Sequence, residues 1–302
     1  MSARVFARPR EASVPFTSRN QERLMGVLDD KVAIITGSAR GIGRATAELL
    51  ASHGAKVVIN DLDADLAQQT ASEIDGETVV FGGDLTKGDA PDQLIKTAVD
   101  AWGKIDIIVN NAGYTLDGAV HKMSDENWQR MLDIHLTVPF KVIRAAAPYY
   151  RDTAKAEMAE GKEVFRKIIN VSSTSGVFGN AAQANYAAGK AGVVGLTKTL
   201  AKEWGMFKVN VNAVAYGFVE TRLTAAKGSE GTVGADVGDG KSVDLGMSDI
   251  VRQGATMMTP LGRGATPEEA AGGVFFLASP YSNFVTGQTL LVSGGMFGGM
   301  TA

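Results

Sequence analysis

The spacing of apolar positions changes repeatedly along this chain, and each change marks an element. Val32-Ala33-Ile34-Ile35 is a short unbroken apolar run closed by Thr36-Gly37, the pattern of a strand buried on both faces. Ala45 to His53 follows at helical spacing and stops at Gly54. The same alternation predicts strands at Lys56 to Ile59, Thr78 to Phe81, Ile105 to Val109, Lys167 to Val171 and Val209 to Val214. Between them, helical patterns cover Leu62 to Ile74, Pro91 to Trp102, Trp128 to Ala147 and Tyr186 to Trp204, and Thr289 to Val292 predicts a closing strand. Strands that alternate with helices build a parallel sheet covered on both faces. Right-handed crossovers make it a doubly wound, Rossmann-like α/β fold.

No linker or composition break divides the pattern, so residues 28–302 read as one domain behind a flexible leader at 1–27. That leader carries Arg4, Arg8, Arg10, Arg19 and Arg23 without the apolar run a signal peptide needs. The other irregular stretch, Ala225 to Gly254, holds seven glycines and no sustained apolar face. Such long loops inside a compact domain are usually functional, and residues 222–259 are expected to form a lid over the substrate site.

The bulk composition narrows the function classes. Hydrophobic residues make up 45% and charged residues 21%, with a net charge of −3, so no basic field points to nucleic acid or an anionic membrane. No apolar run approaches the roughly 20 residues that cross a bilayer. The absence of cysteine removes disulfides, thiolate metal sites and cysteine nucleophiles, and fits a cytoplasmic location. His53, His121 and His135 lack metal-ligand spacing, so no metal is expected.

Directly after the first strand stands Thr36-Gly37-Ser38-Ala39-Arg40-Gly41-Ile42-Gly43. Gly37 permits a tight turn, Gly41 lets backbone approach a diphosphate, and Gly43 lets helix pack on strand. The helix N-terminus offers free N–H groups to the anion. Gly-x-x-x-Gly-x-Gly is a weak signal among 36 glycines, but its place between strand and helix points to a dinucleotide. Asp61 at the tip of the second strand is placed to bond the adenosine ribose, and its charge would repel a 2′-phosphate. Asp63 reads as a helix cap, a role open to Asp61 as well. Arg40 argues the other way, since it could pair with that phosphate. The strand-tip carboxylate favours NAD over NADP. Asp84-Leu85 after the third strand could meet the adenine, or Asp84 could simply form a turn.

At the reacting end, Tyr186 and Lys190 lie four apart on one helix face, and Ser173 stands thirteen residues earlier at the end of a strand. A ketone accepts hydride readily only if its oxygen receives a proton as charge develops. A phenol does this once a neighbouring ammonium lowers its pKa from about 10. Lys190 is expected to supply that ammonium and bond the nicotinamide ribose, and the Ser173 hydroxyl to hold the substrate oxygen.

These residues, with Asn110-Asn111-Ala112-Gly113, Pro260-Leu261-Gly262-Arg263 and the Thr286-Gly287-Gln288 … Ser293-Gly294-Gly295 tail, resemble the short-chain dehydrogenase/reductase family. The resemblance runs from about Leu28 to Gly295. It implies a Rossmann-like domain in a homotetramer or dimer, with Tyr186 as proton donor or acceptor. It further implies that Thr221 touches the nicotinamide carboxamide, that Asn111 supports the cofactor region, and that Ala112, Gly113, Gly217 and Val219 belong to the cofactor site. Two positions depart from the family pattern. His135 stands where an Asn usually completes the proton relay, and as a relay it would titrate near pH 6.5. Tyr216 replaces a Pro, which loosens the backbone and brings an aromatic near the nicotinamide.

The segments Gln183 to Lys190 and Gly217 to Thr221 are similar to the 3-oxoacyl-[acyl-carrier-protein] reductase branch, whereas His135 with Asn60-Asp61 is similar to the 3-hydroxyacyl-CoA dehydrogenase branch. An oxidoreductase acting on a 3-oxoacyl or 3-hydroxyacyl thioester is therefore expected. Dehydrogenation of polyol, terpenoid or steroid alcohols is the alternative enzyme reading, and a non-catalytic dinucleotide-binding regulator the alternative of another class. The complete Ser173, Tyr186 and Lys190 set argues against the regulator.

Overall fold

The computed structural model describes residues 26–232, 234–237 and 240–296; the expected leader lies almost wholly outside them. Seven parallel strands form the sheet: β1 (Val32–Ile35), β2 (Lys56–Asp61), β3 (Thr78–Gly82), β4 (Ile107–Asn110), β5 (Arg166–Ser173), β6 (Val209–Tyr216) and, last in the chain, β9 (Thr289–Val292). Their spatial order is β3-β2-β1-β4-β5-β6-β9. The chain winds outward to β3, then returns to β4 on the other side of β1. Between β1 and β4 the two crossovers diverge, leaving a crevice above the strand C-termini where ligands of such sheets sit.

Every residue of β1 is buried, as the unbroken apolar run requires. Its alternate side chains enter two separate cores. Ala33 and Ile35 pack with Leu50, Ala67 and Val274, which come from α1 (Gly41–Ser52), α2 (Ala64–Glu73) and α9 (Pro267–Ala278). Val32 and Ile34 pack with Leu94, Val142 and Leu200, from α3 (Ala90–Trp102), α5 (Val138–Ala159) and α7 (Ala184–Trp204). Helices thus cover both faces, as the sequence pattern predicts.

Four stretches differ from the sequence reading. The expected single helix from Trp128 to Ala147 is α4 (Asp125–Leu132), a π-turn (Asp133–Thr137) and α5. In this chain the buried positions Met131, His135, Val138 and Val142 keep helical spacing across the π-turn, so the sequence pattern does not mark it. The Ala225 to Gly254 region is not structureless: it holds the antiparallel pair β7 (Ala235–Asp236) and β8 (Ser242–Val243), and the start of α8 (Asp249–Met258). Helix α8 buries none of its residues, although Ile250, Val251, Met257 and Met258 give it an apolar stripe that the sequence reading passed over. Finally, α6 (Thr174–Phe178) and α9 went unpredicted, although Thr266 and Glu269 form a capping box at the start of α9.

Candidate active site

A cavity of about 560 Å³ opens at the crevice between β1 and β4. Gly37, Arg40, Gly41, Ile42 and Gly43 line one end of it, with Asp61, Asp84 and Leu85 beside them and Asn111, Ala112, Gly113 and Thr221 further along. Close packing dictates the first and last glycines. A β-carbon on Gly37 would stand 2.8 Å from the Ala112 backbone, and one on Gly43 would stand 2.1 Å from the Gly37 carbonyl oxygen. Above Gly41 the space is open, with nothing nearer than Thr221 at 3.8 Å. Helix α1 begins at Gly41 itself, with no side-chain cap and no acid in its first turn. Its free N–H groups and uncontested positive end suit a diphosphate, so the residues present fit a dinucleotide.

The loop is braced from β4. Asn111 Nδ2 donates to the carbonyls of Thr36 and Gly37, both at 2.9 Å, and the Thr36 hydroxyl accepts from the backbone N–H groups of Asn111 and Ala112. At the adenosine end, Asp61 accepts from Ala39 N at 3.2 Å and Asp63 N at 3.4 Å. Burial nonetheless pushes its carboxyl above the ordinary range, against those bonds and the nearby Arg40 charge. Asp63 caps α2 through Leu66 N and pairs with Arg40 at 3.0 Å. Asp84 faces the cavity, but its Oδ1 also accepts from Thr86 N and Oγ1, which is the turn role.

Other expected cofactor residues do not line this cavity, Tyr186 and Lys190 among them, and neither does Ser173. Ser38 is buried and donates to the Ile35 carbonyl at 2.8 Å. Gly217 packs against Ser293, and Val219 is buried in a bridge to Ala265. Tyr216 corrects an expectation. Its hydroxyl donates to the Ala270 carbonyl at 3.0 Å, which ties the ring into the core under α9 and away from the cleft.

Ser173 ends β5 and caps α6, accepting from Ser175 N at 3.1 Å. Tyr186 and Lys190 stand one turn apart at the start of α7, with the ammonium nitrogen 5.7 Å from the phenol ring centroid. The Lys190 Nζ donates to the Val171 carbonyl at 2.7 Å, and burial pushes its pKa down to about 7. Tyr186 differs from the sequence reading: burial lifts its phenol to about 12, with Ser173 hydrogen bonding opposing and the Asp117 charge reinforcing the rise. Desolvation is the largest influence here, so the phenol holds its proton at neutral pH.

His135 also departs from expectation. The π-turn carries its side chain inward, into room left by two glycines: a β-carbon on Gly113 would stand 2.2 Å from the ring, and one on Gly189 would stand 3.0 Å from His135 Cβ. The Tyr114 carbonyl can only accept, so the Nε2 contact at 2.7 Å is a donated bond and Nδ1 carries the lone pair. Burial first, and the Lys190 charge second, hold the imidazole well below its ordinary range. It stays neutral through mild acid and does not titrate near pH 6.5.

Sequence reasoning passed over several residues gathered here. Gln183 donates to both oxygens of Asp117, at 3.1 and 3.0 Å, and accepts from Ser175 Oγ at 2.8 Å. Asn185 donates to the carbonyls of Leu116 and Asn127, pinning the chain after β4 onto the start of α7. Tyr114, Arg130, Asp133 and Ile134 line the cavity as well. Gln183 and Asn185 carried a signal only as part of the Gln183 to Lys190 segment, and Tyr114, Asp133 and Ile134 only through their closeness to Gly113 and His135. Among the described residues no group of His, Asp and Glu could hold a metal, and no helix is long and apolar enough to cross a membrane.

A family model described as enoyl-(acyl carrier protein) reductase matches residues 37–297. The 3-oxoacyl-[acyl-carrier-protein] reductase of Synechocystis is 39% identical over 277 residues, which cover 90% of this chain and 99% of that protein. The reductases of the same name from Vibrio cholerae and Thermotoga maritima are 37% and 36% identical, each over 89% of this chain and 98% of theirs.

Proposed function

The chain belongs to the short-chain dehydrogenase/reductase family of oxidoreductases, and from that premise we propose that it interconverts a 3-oxoacyl and a 3-hydroxyacyl thioester, with NAD as the hydride carrier. The observation that carries the reading is the convergence of Ser173, Tyr186 and Lys190 at the end of β5 and the start of α7. Similarity over nearly the full length to 3-oxoacyl-[acyl-carrier-protein] reductases supports the thioester, carried on an acyl carrier protein or coenzyme A.

When bound, the nicotinamide would supply or accept the hydride. Gly37 to Gly43 would hold its diphosphate on the α1 N-terminus, Asp61 its adenosine ribose, and Lys190 and Thr221 its nicotinamide end. The chain's own chemistry is proton handling. Ser173 Oγ would hold the substrate oxygen, and Tyr186, protonated at neutral pH, would donate to that oxygen as negative charge builds there. A phenol at about 12 is already in the acid form that ketone reduction needs. For alcohol oxidation it must first lose its proton, so the oxidative rate should rise with pH.

The choice of NAD rests on Asp61, whose half-buried charge at the tip of β2 would meet a 2′-phosphate, and on the engagement of Arg40 by Asp63. The segment 222–259 serves as a lid: its Leu223, Asp236, Val237 and Leu245 line the same cavity as the glycine loop. A homotetramer or dimer in the cytoplasm completes the reading, with exposed Phe140 and Phe284 as apolar surface for a second copy.

The test follows absorbance at 340 nm with acetoacetyl-CoA and a panel of ketones and polyols, offering NADH and NADPH for reduction and NAD and NADP for oxidation. Thioester reduction with NADH is expected. Turnover confined to polyol, terpenoid or steroid alcohols would replace the substrate. Dinucleotide binding without any turnover would point to a regulator.

A further inference from the structure

Arg130 leaves α4 about a turn before His135 and gives its guanidinium to two distant parts of the chain. Its Nε donates to the Tyr114 hydroxyl at 3.1 Å, and its Nη2 donates to the main-chain carbonyl of Val237 at 2.9 Å. The guanidinium carbon also lies 5.8 Å from the Tyr114 ring centroid. Only 15% of the side chain is exposed, and the nearest carboxylate, Glu126, stands 3.9 Å away at the edge of ion-pair range. A guanidinium enclosed to this degree depends on fixed acceptors, and its planar fork can bind two at set angles.

Those acceptors belong to the two parts that must come together around a ligand. Tyr114 follows Gly113 after β4, and its own carbonyl accepts from His135 Nε2 at 2.7 Å. Val237 follows β7 within the 222–259 segment. Both line the main cavity, as does Arg130 itself. A second tie runs parallel to the first, since Lys241 of the same hairpin pairs with Glu126, one turn before Arg130 on α4. Leu245, buried and facing the same cavity, supplies an apolar foot for the segment.

We infer that Arg130 is a positioning residue that fastens the 222–259 segment shut over the dinucleotide and, through Tyr114, holds the carbonyl on which His135 rests. The inference rests on the reading of the cavity as a dinucleotide site. Exchange of the dinucleotide requires the segment to leave α4, so the Arg130–Val237 bond must break in each turnover. Arg130 thereby sets the rate of dinucleotide release while making no contact with the reacting atoms.

The test compares wild type with Arg130→Lys, which keeps the charge but loses the fork, and Arg130→Met, which loses both. NADH fluorescence in stopped flow gives the release rate, and single-turnover reduction at saturating NADH and acetoacetyl-CoA gives the chemical step. Release is expected to quicken on the order of tenfold in Arg130→Met, with the chemical step changed less and Arg130→Lys falling between. A release rate equal to wild type in both variants would overturn the inference. Amide hydrogen exchange of the dinucleotide-free protein decides independently: the amides of β7 and β8 should lose protection in both variants, and unchanged protection would overturn it too. Thermal melting confirms that the variants fold, and Arg130→Lys carries the test if Arg130→Met does not. Wild-type protein that binds neither NADH nor NADPH would refute the dinucleotide reading, while hydrogen exchange would still judge the Arg130 tie.

Discussion

The His135 imidazole meets the Tyr186 phenol edge-on, with ring centroids 4.8 Å apart and planes at 86°. One ring therefore sets the place of the other. The contact exists because the π-turn adds a residue between α4 and α5, because Gly113 leaves the imidazole its space, and because Gly189 makes room for the His135 Cβ. A buried neutral imidazole wedged in this way acts on the phenol by packing and by excluding water, which keeps the local dielectric low.

His135→Asn tests that neutrality through stability. The folded-state pKa of His135 is depressed, whereas in the unfolded chain it titrates near 6.5. Below about pH 6.5 the unfolded state thus binds a proton that the folded state refuses, and stability falls as pH falls. Melting temperature measured between pH 8 and 5 should drop more for wild type than for His135→Asn. Parallel curves would mean that the imidazole already carries charge when folded. Reductase activity should survive the substitution, since an amide can also donate toward the Tyr114 carbonyl.

Tyr186→Phe removes the only hydroxyl able to give its proton to the substrate in the proposed reaction. Turnover should fall by about 100- to 10,000-fold, and NADH binding by fluorescence titration should stay within a few-fold of wild type. Equal loss of binding and turnover would assign the ring to dinucleotide holding instead.

Asp117→Asn probes the charge next to the phenol. Burial is the largest cause of the elevated Tyr186 pKa, Ser173 hydrogen bonding opposes it, and Asp117 adds to it from the chain after β4. His135, packed against the ring, is neutral, and Lys190, whose own pKa is near 7, sheds charge as pH rises. Neutralising Asp117 while keeping an acceptor for Gln183 should lower the phenol pKa. Alcohol oxidation, which needs phenolate, should then gain rate at pH 9, and its rise with pH should begin earlier than in wild type. A pH–rate profile that superimposes on the wild-type curve would remove Asp117 from the electrostatics of the site.

Asp61→Ala addresses cofactor choice. Without the carboxylate, a 2′-phosphate no longer meets a half-buried negative charge, and the Arg40 guanidinium remains nearby. The ratio of kcat/KM with NADPH to that with NADH should rise on the order of tenfold. An unchanged ratio would remove Asp61 from the ribose site.

The sheet was legible because a strand buried on both faces must be apolar at every position, as Ile34 and Ile35 of β1 are. The glycine loop was legible because Gly37 and Gly43 occupy positions where a β-carbon collides with backbone. What escaped was set by tertiary contact. Arg130 reads as an ordinary exposed helix residue until Val237, more than a hundred positions later, is seen to accept its proton. The pKa of Tyr186 was misjudged for a related reason: spacing reveals that Lys190 is near, but only coordinates reveal how thoroughly the pair is desolvated.

Gly43→Ala separates the packing role of the last loop glycine from any contact with ligand. A methyl group there would lie 2.1 Å from the Gly37 carbonyl oxygen and 2.6 Å from Asn111 Nδ2, the atom that donates to that same carbonyl. Neither neighbour can yield alone, because Gly37 packs against Ala112 and Asn111 is tied to Thr36 through its backbone and its side chain. The methyl therefore pushes the start of α1 away from β4 and breaks the Asn111 brace. Overpacking of this kind costs about 1–3 kcal/mol, read as a lower denaturation midpoint at unchanged slope. Dinucleotide affinity should fall with it, since the N–H groups at the start of α1 move with the helix. A variant as stable as wild type that still bound NADH normally would show that the loop tolerates the extra methyl, and the close approach of α1 to β4 would lose its structural meaning.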